Sequence, residues 1–210
     1  MSIRLPHSCF IHIPRTGGTW FQNVVARLEM PCQVFRGDID SHFRYCELPE
    51  NWRQLASFSF VRHPLAWVQS RWSHALEHNT VQDYRHYGVH RVFDELVRPT
   101  LQDTLKSILE HHPGIVGYTY SQMLRGVDQL CRTESLPHGA YQLLRDLEQL
   151  TPDKRYLFNA EEKCNSTSTI DRWRVQIEAV PDSLREEFVA SEPEAIDWWN
   201  LAARQESERA

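Results

Sequence analysis

Short apolar runs alternate with helical stripes in the N-terminal part of the chain. Residues 8–13 (SCFIHI) are typical of a short buried strand, and this run ends at Pro14. A pair of glycines follows, and residues 19–29 then predict a helix. The apolar positions of that helix fall near a helical period: Trp20, Val24, Val25 and Leu28. The pattern therefore predicts a strand, a tight loop and a helix.

A second unit of the same kind follows. Residues 57–62 (SFSFVR) predict a strand, and Pro64 is placed to begin a helix that reaches about residue 78. The rest of the chain predicts one more strand at 155–158 and further helices, which cover residues 89–97, 101–111, 140–150, 171–178 and 183–203. Segments 36–50, 78–92 and 111–140 are expected to be variable loops and helices, the kind of segment that usually builds the pocket for a substrate.

The alternation of strands and helices indicates an α/β fold. We expect a single domain over residues 1–210, in which helices flank a central parallel sheet. Ligands of such sheets bind beyond the carboxyl ends of the strands. Pro14 and Arg62 both fall at that edge, so we expect a ligand site there.

Composition narrows the class of protein. The chain is 41% hydrophobic and 24% charged, which is typical of a soluble globular protein, and its net charge is −5. No overall positive field attracts nucleic acid or anionic lipid, so an anionic ligand needs a local site. The N-terminus lacks the apolar region of a secretory signal, and no apolar run of the sequence is long enough to span a membrane. We therefore expect a cytoplasmic protein without a membrane span.

The loop between the first predicted strand and helix contains groups that bind anions. Gly17 and Gly18 allow close approach of backbone amides, and the helix N-terminus adds a positive dipole end. Arg15 supplies a fixed cation, while Thr16 and Thr19 supply hydroxyl groups. The loop lacks the Gly-Lys-[Ser/Thr] ending of a nucleotide-hydrolase phosphate loop, which disfavours ATP or GTP hydrolysis.

Residues 12–20 (HIPRTGGTW) resemble the 5′-phosphosulfate loop of sulfotransferases that use 3′-phosphoadenosine 5′-phosphosulfate (PAPS). The form is similar to that of the carbohydrate branch, which includes the hexuronyl 2-O-sulfotransferases. This resemblance implies a three-layer P-loop-like fold and assigns residues 15–19 to the phosphosulfate. It also implies that Trp20 stacks on adenine, although a Trp at this point equally suits an anchor of the first helix in the core.

A second motif places Arg62 at the end of a strand and Ser70 in the next helix. A guanidinium and a hydroxyl can together bind one phosphate monoester through hydrogen bonds. The spacing resembles the 3′-phosphate site of the same family, which implies that Arg62 and Ser70 bind that phosphate. The sequence departs from the family pattern at His63, where Asp is usual, and at Trp67, where a second Arg is usual.

Two residues are candidates for the chemistry. His42 resembles the base of the 2-O-sulfotransferase branch, which implies that it takes the acceptor's proton. Arg15 stands where the family has Lys; since Arg stays protonated, we expect it to stabilise the leaving phosphate without donating a proton. The resemblance implies transfer of a sulfuryl group to a carbohydrate or small-molecule hydroxyl without a metal, since amides and arginines supply the charge.

Three alternatives remain open. Residues 74–78 (HALEH) match the H-x-x-E-H order of a zinc peptidase, which requires a third ligand from elsewhere. The departures at Arg15 and His63 are compatible with a module that binds nucleotide or carbohydrate without turnover. An ATP-dependent kinase would have to act without the Lys of the Gly-Lys-[Ser/Thr] motif, which the glycine loop lacks. The five cysteines form no C-x-x-C pair and are odd in number, which favours reduced thiols over a disulfide framework or a structural zinc site.

Overall fold

The described part of the chain contains a five-stranded sheet and ten α-helices. The computed structural model describes residues 2–35, 44–78, 89–150 and 171–209. The strands are β1 (Ser2–Arg4), β2 (Ser8–Ile11), β3 (Gln33–Phe35), β4 (Ala56–Val61) and β5 (Gln129–Arg132). The described helices are α1 (Gly18–Arg27), α2 (Glu50–Arg53), α3 (Pro64–His78), α4 (Val89–Leu96), α5 (Leu101–His111), α6 (Ile115–Leu124), α7 (His138–Asp146), α8 (Asp171–Glu178), α9 (Asp182–Ala190) and α10 (Pro193–Arg209).

The sheet is mixed, in the order β3-β1-β2-β4-β5. Strands β2, β4 and β5 are parallel, whereas β1 pairs antiparallel with both β2 and β3. The prediction of an α/β fold is confirmed, but the prediction of a parallel sheet is wrong at this edge. Only residues 5–7 separate β1 from β2, which is far too short for the crossover that a parallel pair needs.

Contacts divide the chain into two compact units. Unit 1 consists of residues 1–62, 120–164 and 198–210, and unit 2 consists of residues 63–119 and 165–197. The whole sheet therefore lies in unit 1, together with α1, α2 and α7. Helices α3, α4, α5, α8 and α9 belong to unit 2.

The core of unit 1 follows from alternation along its strands. Four fully buried phenylalanines form one aromatic cluster on the side of the sheet that α1 and α7 cover: Phe10, Phe21, Phe58 and Phe60. On the opposite side, Cys9 and Ile11 of β2 pack with Trp52 of α2. Successive side chains of a strand point to opposite faces, so helices cover both faces of the same strands.

The C-terminal half of α10 covers the outer edge of β5. The Leu130 N–H donates to Gln205 Oε1 (2.7 Å), and the Arg132 N–H donates to Glu206 Oε1 (2.6 Å). In the other direction, Arg209 Nη2 donates to the Leu130 carbonyl oxygen at 2.7 Å. Side chains of the helix thus bond the outward backbone groups of an edge strand, groups that would otherwise pair with another chain.

Several predicted elements change in the structure. The single helix expected over 183–203 is wrong: α9 ends at Ala190 and α10 begins at Pro193, a residue that suits a first helical turn because it has no N–H. Segment 111–140, expected to consist of variable loops and helices, contains α6 and also strand β5, which the sequence did not predict. The predicted strand 155–158 lies outside the described residues. Among the described helices, none has both the length and the apolar character needed to cross a membrane.

Unit 2 contains a buried ion pair and, separately, a buried carboxyl group. Arg71 of α3 donates to Asp94 of α4 at 2.7 Å, and both side chains are nearly inaccessible to solvent. Glu192 is fully buried, and its Oε2 accepts the N–H groups of Val116 (3.1 Å) and Gly117 (3.0 Å) in the first turn of α6. Each carboxylate therefore satisfies donors that have no access to water.

The carboxyl group of Glu192 gives unit 2 a pH-dependent stability. Burial raises its pKa to about 7, although the hydrogen bonds from the backbone act in the opposite direction. Because the pKa in the folded state exceeds the value of about 4.3 in the unfolded chain, this contribution is complete below that value and is lost as pH rises through 7. We expect a loss of about 3 kcal/mol in the free energy of unfolding.

Urea unfolding between pH 4.5 and pH 8 measures this loss. Glu192→Gln, which stays neutral, is expected to remove most of the pH dependence. Glu186→Gln, a change at an exposed carboxylate of α9, is the matched control and is expected to leave the slope unchanged. An equal slope in the wild type and in Glu192→Gln would contradict the assignment.

Candidate functional site

The glycine loop lies at the carboxyl end of β2, where the sequence predicted it. Strand β2 ends at Ile11, and α1 begins at Gly18 after a turn in which Arg15 has φ 66° and Gly17 has φ 100°. Both values fall in the left-handed region, which glycine adopts freely and which is uncommon for a residue with a Cβ. The conformation of Arg15 is therefore imposed by the surrounding loop.

Close packing explains why both glycines are needed. A Cβ on Gly18 would collide with the His12 ring, and a Cβ on Gly17 would lie 2.9 Å from a methyl group of Leu136. From the sequence, the glycines were expected to permit close approach of a ligand. In the structure, neighbouring side chains already occupy the space beside each glycine.

Four carbonyl oxygens of the loop accept hydrogen bonds from within unit 1. The bonds run from Thr16 Oγ1 to Ile13 (2.8 Å), from Arg62 Nη1 to Arg15 (3.3 Å), from Thr133 Oγ1 to Thr16 (2.9 Å) and from the Phe21 N–H to Gly17 (3.0 Å). Carbonyl oxygens repel anions, so engaging them elsewhere favours an anion near the loop amides.

Backbone amides at the start of α1 lie at the end of the glycine loop. The first N–H groups of a helix have no carbonyl acceptor within the helix, and Gly17 at the N-cap makes no side-chain hydrogen bond to them. Thr19 is exposed in this first turn, whereas Thr16 is fully buried with its hydroxyl bonded to the Ile13 carbonyl. Together with the helix dipole, these amides can bind a negatively charged group.

Arg62 follows β4, the strand parallel to β2, and its guanidinium reaches the loop at the Arg15 carbonyl. Tyr120 fixes the backbone of Arg62 twice: its hydroxyl donates to the Arg62 carbonyl at 2.7 Å and accepts from the Arg62 N–H at 3.1 Å. Burial lowers the pKa of Arg62, and the negative charge of Glu134 raises it. The guanidinium still carries its charge at neutral pH.

The other predicted residues of the 3′-phosphate motif belong to unit 2. Ser70 is buried on α3, and its carbonyl oxygen accepts from the Ser73 hydroxyl at 3.2 Å. Trp67 is fully buried, with its ring 5.3 Å from that of Phe93 in a T-shaped arrangement. A core aromatic thus stands at the position where the family pattern has its second Arg.

Trp20 lies on α1 and is half-buried. Its ring packs against the core of unit 1, with its centroid 6.3 Å from that of Phe60. This contact matches the expected anchor of the first helix, and the partial exposure leaves part of the ring accessible. The adenine-stacking role stays a prediction.

The predicted base and the zinc motif are described only in part. His42 lies outside the described residues, so its role stays a prediction. In the zinc motif, His74 and Glu77 lie on α3. The His78 side chain is not among the side chains that the structure describes. Among the residues that the structure does describe, no group of three or more His, Cys, Asp or Glu side chains is placed to hold a metal ion.

Two residues next to the loop, Thr133 and Glu134, had no role among the predictions from the sequence; they follow β5, a strand of four residues that was not predicted. Tyr120 lies on the unpredicted helix α6. The short apolar run at 130–131 was the only signal for β5 in the sequence.

Comparison of the chain with family models, with curated proteins and with solved structures finds no match.

Proposed function

We propose that the protein is a sulfotransferase that moves a sulfuryl group from PAPS to a hydroxyl of a carbohydrate or small molecule. The observation that carries the proposal is the contact between Arg62 and the Arg15 carbonyl, at 3.3 Å. It brings the charged end of the second motif to the loop of the first, although the two motifs are far apart in the sequence. The P-loop-like fold implied by the resemblance, and the cytoplasmic location expected from the N-terminal sequence, are part of the same proposal.

The orientation of one peptide plane supports a ligand with two anionic groups. In a trans peptide the C=O and the N–H point in opposite directions. Because the Arg15 carbonyl faces the guanidinium, the N–H of Thr16 in the same peptide faces away from it. The Thr16 amide and Arg62 therefore suit different anionic groups, as a nucleotide with a 5′-phosphosulfate and a 3′-phosphate requires.

The proposed roles follow from this arrangement. Residues 15–19 hold the phosphosulfate, and Arg62 holds the 3′-phosphate, a role that the resemblance also assigns to Ser70. The acceptor oxygen forms a bond to sulfur as the bond between sulfur and the bridging phosphate oxygen breaks, and His42 takes the acceptor's proton. Arg15 stabilises the charge that develops on the leaving phosphate and keeps its own protons.

Thermal unfolding with added nucleotide tests the binding step. A ligand that binds only the folded state raises the melting temperature, and the rise grows with the logarithm of the ligand concentration relative to its Kd. We expect adenosine 3′,5′-bisphosphate to stabilise the protein, and AMP and ATP to stabilise it far less, because neither carries a 3′-phosphate. Equal shifts with AMP and the bisphosphate would overturn the two-site proposal.

A pair of variants locates the effect at Arg62. In Arg62→Ala we expect affinity for the bisphosphate to fall at least about tenfold, since a charge-assisted hydrogen bond contributes about 1.5–3 kcal/mol. Arg145→Ala removes the same charge from an exposed position on α7 and should bind normally. Transfer of labelled sulfate to a panel of hydroxyl acceptors then separates an enzyme from a module that only binds.

A further inference from the structure

The end of β5 contacts both of the other parallel strand ends through one side chain. The Thr133 hydroxyl lies 2.9 Å from the Thr16 carbonyl oxygen and 3.1 Å from the Val61 carbonyl oxygen. Thr16 belongs to the glycine loop after β2, and Val61 is the last residue of β4. One hydroxyl proton is thus shared between the loop and the strand that leads to Arg62.

The bond to Thr16 also fixes the direction of a neighbouring amide. The Thr16 carbonyl and the Gly17 N–H belong to one trans peptide and point in opposite directions. While the carbonyl is bonded to Thr133, the Gly17 N–H points away from β5. Gly17 has φ 100°, a conformation that glycine shares with several others of similar energy, so its own preference does not hold this peptide in place.

We propose that Thr133 is a positioning residue that orients the Gly17 amide for an anion, a role that rests on the proposed function for the identity of that anion. The hydroxyl acts through the Thr16 peptide and does not touch the ligand. Its second contact, to Val61, keeps the loop at a fixed position relative to the end of β4. Neither residue is near Thr133 in the sequence.

Hydrogen exchange and ligand affinity together test this role. Thr133→Val keeps the size and branching of the side chain but removes the hydroxyl. We expect amide exchange of Phe21, whose N–H bonds the Gly17 carbonyl, to accelerate about fivefold, because one hydrogen bond contributes about 1 kcal/mol and about 1.4 kcal/mol corresponds to tenfold. We expect affinity for adenosine 3′,5′-bisphosphate to fall by a similar factor.

Two variants distinguish positioning from general loss of stability. Thr133→Ser restores the hydroxyl and should recover both measurements. Thr104→Val removes a buried hydroxyl of unit 2 that bonds the backbone at Arg98 and Thr100, and it should change neither. If Thr133→Val does not fold, Thr133→Ala replaces it in the same comparison.

The exchange measurement decides the proposal independently of the ligand. Unchanged exchange at Phe21 in Thr133→Val, or failure of Thr133→Ser to restore it, overturns the positioning role. If exchange responds as expected but the wild type does not bind the bisphosphate, the positioning role stands and the proposed function fails.

Discussion

Replacing Arg15 by alanine is expected to lower kcat/KM for sulfuryl transfer at least about 100-fold, the usual effect of removing one preorganised charge from a developing anion. Arg15→Lys restores a cation and should retain activity within about tenfold of the wild type, a much smaller loss. Both variants keep a Cβ at φ 66°, so the cost of the left-handed backbone is the same in each. The difference between them therefore reports the charge.

Steady-state rates with PAPS and a responsive acceptor measure this difference. The loss in Arg15→Ala should be mainly in kcat, since the charge on the leaving phosphate develops only in the transition state. The exposed Arg145→Ala is again the matched control. Equal activity of Arg15→Ala and the wild type would remove Arg15 from the catalytic site.

Asp94→Asn is expected to lower the free energy of unfolding by about 3–5 kcal/mol, because it leaves the buried guanidinium of Arg71 without its counter-charge. The ring of Phe93 lies 5.9 Å from that guanidinium and cannot replace a carboxylate. Since Arg71 is on α3 and Asp94 on α4, the substitution should loosen the packing between these two helices.

Urea unfolding followed by tryptophan fluorescence measures the change. Glu178→Gln breaks the exposed pair with Arg174, which are 4.0 Å apart, and should cost at most about 1 kcal/mol. Replacing both buried partners, as in Arg71→Met with Asp94→Leu, should recover much of the lost stability because no uncompensated charge remains. A loss in Asp94→Asn as small as that in Glu178→Gln would show that the buried pair adds little.

The elements that the sequence predicted well are those with a strong local signal. The phenylalanines of β4 and the proline at the start of α3 define that strand and helix without reference to the rest of the chain. Strands β1, β3 and β5 have only three or four residues each, so their pattern is too short to read. They exist because distant segments pair with them, as when the Ser2–Arg4 strand aligns with residues 9–11.

The break between α9 and α10 shows the same limit. Periodicity continues across the junction and predicts one helix over 183–203. In the structure, Glu192 leaves the helical path and bonds the first turn of α6, more than 70 residues away in the sequence. Only the three-dimensional packing of unit 2 provides those two donors, whereas Pro193 at the start of α10 is the local signal that could have indicated the break.

The sequence by itself determined the glycine loop, its strand and helix, and an arginine at the end of a neighbouring strand, because each depends on residue types within one short segment. The tertiary structure alone decided that Arg62 reaches the Arg15 carbonyl, that Tyr120 holds Arg62, and that Thr133 joins the loop to β4. These bonds link residues between 47 and 117 positions apart. Sheet topology brings such residues together, and a pattern of neighbouring side chains carries no information about it.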